Sequence, residues 1–164
     1  MIASLDSVLS IFDRLIDANK IDVVEKYHPI LKFKLDLLLN KAIYQRDRNI
    51  LKLARAQFEE CGAKMSQGTQ LFSYPFFMQE CARAYFEFGE LQLAKNIILE
   101  QVMPYNYGIA ASHYYLGKIY EAENDMEQAV AQYRKYLELT KNLENSALAF
   151  RERDEVMRKM LARM

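Results

Sequence analysis

Apolar residues recur at every third or fourth position along almost the whole chain. This period is typical of amphipathic helices, and no sustained two-residue alternation of the kind that marks strands occurs. The pattern therefore predicts an all-α protein. The predicted helices lie at about 5–18, 21–33, 35–47, 49–64, 75–88, 90–103, 109–123, 125–140 and 143–163.

Turn-forming residues separate these segments. The stretch GAKMSQGTQLFS at 62–73 contains two glycines and predicts the longest loop. Pro75 is predicted to open the helix after this loop, where its missing N–H costs no hydrogen bond, and Pro104 is predicted to close the helix at 90–103. The other turns are short, which makes neighbouring helices antiparallel hairpins. They fall at Asn19-Lys20, Arg48-Asn49, Gly89-Glu90 and Asn124-Asp125.

Part of the chain repeats with a period of 35 residues. When 75–103 is laid on 110–138, five matches follow without a gap. They place Cys81-Ala82 on Leu116-Gly117, Tyr85 on Tyr120, Gly89 on Asn124, Ala94 on Ala129 and Ile98 on Tyr133.

Two weaker copies precede these. In the copy at 35–62, Tyr44 precedes Ala54 by ten residues where the later copies use nine, and one additional turn residue would explain the difference. A degenerate copy is predicted at 5–33. The residues that match are Ala54, Phe58 and Cys61 in the first of these copies, and Leu15, Val24, His28 and Leu31 in the second.

The repeated pattern resembles the tetratricopeptide repeat, in which a small residue, a tyrosine, an alanine and an aromatic residue follow one another along a helix–turn–helix. His113 stands where the family usually has tryptophan, and the final proline of the family is absent. The resemblance implies one domain over 1–164, an α–α superhelix or solenoid of antiparallel helix pairs. The carriers of the resemblance are Leu116, Gly117, Tyr120, Ala129 and Tyr133. The implied units are a degenerate repeat at 5–33, repeats at about 35–64, 75–103 and 109–140, and a capping helix at 143–163.

The repeated positions that carry glycine or alanine are explained by the close approach of two helices. Only a small side chain lets two helix backbones come within about 8–10 Å. Gly117 and Ala82 are predicted to lie at such crossings, and Ala54, Ala94 and Ala129 are predicted to do the same from the opposite helices. Tyr85, Tyr120 and Phe58 are predicted to fill the space between successive pairs, because one pair cannot cover its own apolar face.

Composition narrows the function. Lys plus Arg and Asp plus Glu number 22 each, so the chain has no excess of basic residues. Direct binding of nucleic acid is therefore not expected. The N-terminus carries Asp6 and Asp13 rather than a basic start and an apolar run, and the longest charge-free stretch, 101–117, is too short and broken to cross a membrane. Cys61 and Cys81 lie inside apolar helical patterns, which favours reduced core thiols in a cytoplasmic protein.

The family resemblance implies a concave groove lined by the first helix of each pair. The residues that would line this groove include aromatic, amide and cationic side chains, a combination that suits binding of a peptide or a helix of a partner protein. The fixed Lys/Asn/Lys/Arg clamp by which some family members hold the C-terminal carboxylate of chaperones is missing. The implied groove residues are Gln45, Arg46, Phe76, Gln79, Arg83, Phe86, Tyr114, Lys118 and Glu121.

The last predicted helix carries an apolar seam with a heptad period. This seam fits a capping helix that covers the open end of the stack, or a surface through which two chains form a homodimer. Its members are Leu143, Ala147, Phe150, Asp154, Met157, Leu161 and Met164.

No arrangement of residues predicts catalysis, a cofactor or a bound metal. His28 and His113 are 85 residues apart and neither has a ligand at metal-binding spacing, and no glycine-rich phosphate loop or nucleophile motif occurs. The expected function is a protein–protein interaction module. The alternative is a structural or regulatory unit of a signalling or transcription assembly that self-associates through its C-terminal helix.

Overall fold

The computed structural model describes residues 6–11, 13–14, 29–62, 67–106, 109–141 and 147–161. The first predicted repeat at 5–33 lies mostly outside these residues, as does His28. Residues 6–11 and 13–14 are helical and are called the N-terminal segment below.

Within the described ranges every regular element is a helix, which confirms the predicted all-α class. A π-helical turn, Ile98–Val102, continues α4. The elements are α1 (Pro29–Gln45), α2 (Arg48–Gly62), α3 (Gln67–Glu87), α4 (Leu91–Ile97), α5 (Ala110–Ala122), α6 (Met126–Thr140) and α7 (Ala147–Leu161).

The predicted break between helices at 21–33 and 35–47 is wrong, because α1 runs without interruption through Lys34. No proline or glycine lies between Ile30 and Gln45, so the sequence contains no residue that would break the helix there. The helix begins at Pro29, where a proline is pre-organised for the first turn. Among the side chains described from residue 33 onwards, the buried residues of α1 are Leu35, Leu38, Leu39 and Ala42.

The predicted loop at 62–73 is also wrong, since α3 begins at Gln67 and carries Pro75 in its interior. Proline inside a helix removes one backbone hydrogen bond and costs about 3 kcal/mol. Aromatic packing next to it offsets this cost. The Tyr74 ring lies 5.3 Å from that of Tyr105 and 6.3 Å from that of Phe58.

Three turns share one backbone geometry. Each contains a residue with positive φ: Arg46 at 53°, Gly89 at 80° and Asn124 at 61°. In each turn this residue donates its N–H to the carbonyl three residues before it, and the next residue donates to the carbonyl five before. This pattern is the Schellman motif, which ends a helix and reverses the chain. It joins α1 to α2, α3 to α4 and α5 to α6.

These turns fix the register of the repeat. Gly89 and Asn124 are 35 residues apart, which is the predicted period, whereas Arg46 and Gly89 are 43 apart. The predicted alignment of Ala54 with Ala129 is therefore wrong by three residues, because Leu51 holds the position of Ala129 after the turn. Three residues are almost one helical turn, so both alignments place the matched residue on nearly the same face.

The paired helices are α1 with α2, α3 with α4 and α5 with α6. The first helices of successive pairs also contact each other, α1 with α3 and α3 with α5. Ion pairs link neighbouring pairs at the end where the turns lie: Arg48 with Glu90, and Lys95 with Glu123 at 2.6 Å. Because all three turns lie at this end, the three first helices run parallel to one another.

Gly117 lies at a close approach of two helices, as the sequence predicts. The Gly117 backbone is so close to the Tyr133 ring that a Cβ atom would lie within 2.5 Å of Tyr133 Cδ1. Ala82 is fully buried, and Phe58 of α2 stacks on Phe77 of α3 with ring centroids 4.1 Å apart. The alanines at positions 54, 94 and 129 are fully buried as well.

The C-terminal helix α7 packs on α6, and Arg153 donates a hydrogen bond of 2.6 Å to the carbonyl of Thr140. The described members of the predicted seam, Asp154 and Met157, are exposed, whereas Val156 is completely buried. The predicted seam is therefore rotated by one residue, or about 100° around the helix, from the face that meets α6.

Candidate protein-binding surface

The register set by the turns shows which residues of the first helices are equivalent. Arg83 and Lys118 share their position with Asn40, and Gln79 and Tyr114 share theirs with Asp36. The groove positions on α1 are therefore different from those predicted. Gln45 is the last residue of α1 and Arg46 belongs to the turn, so neither is equivalent to the groove residues of α3 and α5.

Asn40 and Arg83, which hold equivalent positions, are in direct contact. The Arg83 Nη2 atom donates to the Asn40 side-chain carbonyl at 2.9 Å, and Nε donates to Glu80 at 2.8 Å. This guanidinium therefore joins α1 to α3 while its charge is balanced within α3. The bond also fixes α1 and α3 against each other, so residues at other equivalent positions lie side by side.

Two phenylalanines occupy another pair of equivalent positions. Phe33 and Phe76 each lie seven residues before a partner of the hydrogen bond between Asn40 and Arg83. Phe33 is 60% exposed and Phe76 is 42% exposed. Tyr44, which follows on the same face of α1, is 55% exposed. The surface formed by these residues is called the aromatic face below; it consists of Phe33, Tyr44 and Phe76 together with Asn40 and Arg83.

Sequence reasoning found Phe76 and Arg83 of this face but missed its α1 members. The signal was present in the sequence, because Phe33 and Phe76 are 43 residues apart, as are the turn residues Arg46 and Gly89 that follow them. It was hidden because Arg46 is not a residue type that marks a left-handed turn.

Gln79 is buried rather than part of an open groove. Its side-chain carbonyl accepts a hydrogen bond from Ser112 of α5, so it joins the second pair of helices to the third. The amide nitrogen of Gln79 has no partner among the described residues. A buried donor of this kind is costly unless another group accepts from it.

Phe86 and Lys118 lie between α3 and α5. The Phe86 ring is 5.2 Å from the ring of Tyr115, and the Lys118 ammonium lies 5.5 Å from the centre of Phe86. The same ammonium is 5.3 Å from the Tyr114 ring. The positive charge therefore stands over two aromatic faces, an arrangement that stabilises the packing of α5.

The helix α7 covers the predicted groove residues of α5. Tyr114 is only 5% exposed, and its hydroxyl donates to Glu155 at 3.1 Å. Glu121 accepts hydrogen bonds of 2.6 Å from both the Tyr133 hydroxyl and the Lys159 ammonium. Since the earlier residue of α5 meets the earlier residue of α7, the two helices run parallel, as α3 and α5 do.

The ionisation of this network favours attachment of α7 at neutral pH. Burial alone would raise the pKa of Glu155, but hydrogen bonds from Lys159 and Tyr114 outweigh burial and hold that pKa below its ordinary value. Burial alone would lower the pKa of Lys159, but its bonds to Glu121 and Glu155 raise that pKa. Burial and the bond to Glu121 raise the pKa of the Tyr133 hydroxyl, which stays protonated.

His113 and Cys81, the histidine and cysteine side chains that the structure describes, are core residues. His113 is fully buried and its Nδ1 lies 2.8 Å from Gln132 Oε1. Cys81 is a buried free thiol, and burial raises its pKa to about 12. The side chain of Cys61 lies outside the described residues.

In the part of the chain that the structure describes, no cluster of three or more His, Cys, Asp or Glu side chains is arranged to hold a metal ion. None of the helices described is both long enough and apolar enough to cross a membrane.

Comparisons with protein-family models, curated proteins and solved structures give no match to this chain. The resemblance to tetratricopeptide repeats therefore stays a prediction from the residues themselves.

Proposed function

We propose that this chain is a protein-interaction module of the tetratricopeptide-repeat type, and that it binds a peptide or a helix of a partner protein on its aromatic face. The partner is held by non-covalent contacts, and no catalytic step is part of this function. The proposal moves the binding site away from α5, where α7 covers the predicted residues, to the first two pairs of helices.

The observation that carries the proposal is the exposure of Phe33 and Phe76 at equivalent positions of adjacent parallel helices. Single exposed apolar residues are ordinary on a protein surface, but clustered aromatic residues mark interaction sites. Packed helices have axes about 8–10 Å apart, so the two rings are placed to hold two anchor residues of one ligand.

Polar groups two helical turns from the aromatic rings suit recognition of a ligand's backbone or of an amide side chain. Asn40 and Arg83 lie about 10 Å from the rings, since seven residues of helix span that length. Because Arg83 is already paired with Glu80, it offers directed N–H donors rather than an uncompensated charge. This surface favours a ligand with two apolar anchors followed by a polar segment over a strongly acidic one.

The test compares partner capture from native lysate by the wild-type chain and by a Phe33→Ala/Phe76→Ala variant. The rings are 60% and 42% exposed, so circular dichroism first checks that the variant is as helical as the wild type. The matched control is Leu93→Ala/Leu99→Ala, which removes two exposed leucines of α4 and its π-helical turn, each 40% exposed. We expect the control to keep the partners of the wild type and the phenylalanine variant to lose them. Equal capture by both variants would falsify the assignment of the aromatic face.

A second candidate, self-association through α7, is favoured by one observation. Met157 is 43% exposed on the side of α7 that does not meet α6, next to the exposed Asp154 and Arg158. In this alternative the chain is a structural or regulatory unit whose copies meet at α7. The molar mass in solution of wild-type and Met157→Lys protein decides between the two, because only a dimer held by α7 would dissociate in the variant.

A further inference from the structure

The N-terminal segment covers a second face of α1. Lys41 forms an ion pair with Asp6, and Lys34 forms one with Asp13 at 2.6 Å. The earlier lysine meets the later carboxylate, so the segment lies antiparallel to α1.

Leu9 lies between the two ion pairs. Asp6, Leu9 and Asp13 are three and four residues apart, a spacing that places all three on one face of a helix. Leu9 is only 8% exposed. Lys34 and Lys41 are also seven residues apart, which is about two helical turns. The two helices therefore match in spacing as well as in charge.

The two ion pairs contribute little to this attachment. Among the described residues of the segment only Leu9 is buried. The side chains of Asp6 and Asp13 are each 54% exposed, whereas Lys34 and Lys41 are 16% and 18% exposed. Ion pairs with carboxylates this exposed contribute little to stability and are screened by salt. A ligand of the same chemistry can therefore compete with the segment.

We propose that Lys34 and Lys41, called the lysine stripe, form a docking surface for an acidic amphipathic helix of a partner protein. The chain's own N-terminal segment occupies this surface in the structure and shows what the surface accepts. The partner helix carries two carboxylates seven residues apart with a leucine or a similar apolar residue between them. Charge complementarity with the two lysines gives the partner its orientation.

The lysine stripe is separate from the aromatic face, so this inference does not depend on the proposed function. Lys34 follows Phe33 in the sequence and Lys41 follows Asn40. Each step along a helix turns the side chain by about 100°, and the two surfaces therefore look in different directions from α1. Variants of one surface leave the other intact.

The probe for the experiment is a fluorescently labelled peptide of residues 4–18, whose charged residues are Asp6, Asp13, Arg14 and Asp17. Its binding is measured by anisotropy with the full-length wild-type chain and with a full-length Asp6→Asn/Asp13→Asn variant. In the variant the segment competes less well with the peptide for the two lysines, so we expect the peptide to bind about fivefold more tightly. A peptide with both substitutions should bind about fivefold more weakly, and rising salt should weaken the binding of the wild-type peptide.

Charge exchange provides the specific control. A Lys34→Asp/Lys41→Asp chain should no longer bind the wild-type peptide. It should bind a peptide that carries Asp6→Lys and Asp13→Lys. Regained binding also shows that the exchanged chain is folded.

Three results would overturn the proposal. The first is equal affinity of the labelled peptide for the wild-type chain and for the Asp6→Asn/Asp13→Asn variant. The second is no binding to that variant when circular dichroism shows it to be as helical as the wild type. The third is a wild-type dimer that dissociates on the same substitutions, which would assign the lysine stripe to a second copy of the chain.

Discussion

Gly117 of α5 packs against the ring of Tyr133 of α6 with no room for a side chain between them. A Cβ atom at this glycine would lie within 2.5 Å of Cδ1 and 2.9 Å of Cζ of the ring. Tyr133 is completely buried, and its hydroxyl is bonded to Glu121, so the ring is held at both ends. The contact between the helices of the third pair therefore depends on the absence of one side chain.

The Gly117→Leu variant should be destabilised by about 1–3 kcal/mol or more, because the added side chain overpacks a filled core. Thermal denaturation followed by circular dichroism measures the effect. The matched control is Ala122→Leu, which places the same final side chain at an exposed position of the same helix. The control should stay within about 0.5 kcal/mol of the wild type. A Gly117→Leu protein that melts with the control would show that α5 and α6 are packed differently.

Arg46→Gly should stabilise the protein by about 1 kcal/mol, because the left-handed conformation costs a residue with a side chain about 1–2 kcal/mol and costs glycine little. The adjacent Gln45→Gly, at the last position of α1, should destabilise it by less than the roughly 0.5–1 kcal/mol that glycine costs in the middle of a helix. Urea denaturation of the two variants measures this opposite response. If both substitutions lower stability equally, the turn at Arg46 lacks the positive φ of 53°.

The attachment of α7 should weaken in acid. The pKa of Glu155 is held below its ordinary value of 4.5, so its contribution to stability is present above that value and is lost as the pH falls through the lower, folded-state pKa. Its side chain is 37% exposed, and screening by solvent limits the contribution to less than about 1 kcal/mol. Urea denaturation of wild-type and Glu155→Gln protein between about pH 3 and pH 7 measures it.

The difference between these two proteins should be largest near neutral pH and should disappear at the acid end. Lys159 gives the complementary result. Its raised pKa means that its contribution is present below its ordinary value of 10.5 and is lost only as the pH rises through the higher, folded-state pKa. A difference between wild type and Glu155→Gln that grows in acid would contradict the network.

Cys81 should be almost unreactive in the folded protein. Its pKa of about 12 leaves very little thiolate at neutral pH, and the thiol is completely buried. In a Cys61→Ser protein, modification by a thiol reagent should be slower than for unfolded protein by a factor of about one thousand or more. Fast modification without denaturant would show that α3 opens at Cys81 in the native state.

The second and third pairs of helices were predictable because their turns contain residues that mark a left-handed conformation. Gly89 and Asn124 are such residues, and the 35-residue period follows from them. The first pair was misaligned because Arg46 adopts the same conformation without the residue type that signals it. The error of three residues then aligned Arg46 with Glu121, whereas the turns make Ile43 the α1 residue equivalent to Phe86 and Glu121.

The place of α7 could not be predicted from its own apolar pattern. Heptad counting selects residues such as Met157, but the contact with α5 is made largely by charged groups. Glu155 and Lys159 bind Tyr114 and Glu121 with polar atoms, and such pairs have no periodic signal in a single sequence. The same contact explains why residues predicted to line a groove are buried.

The length of α3 has a consequence for how this chain could grow. The helix begins at Gln67, eight residues before Pro75, which is equivalent to the first residue of α5. These eight residues account for the difference between the spacings of 43 and 35 residues. A duplication of residues 75–109, which spans one period of 35 residues, would therefore insert a further pair in phase with its neighbours. The second and third pairs form the unit from which a longer member of this architecture can be made.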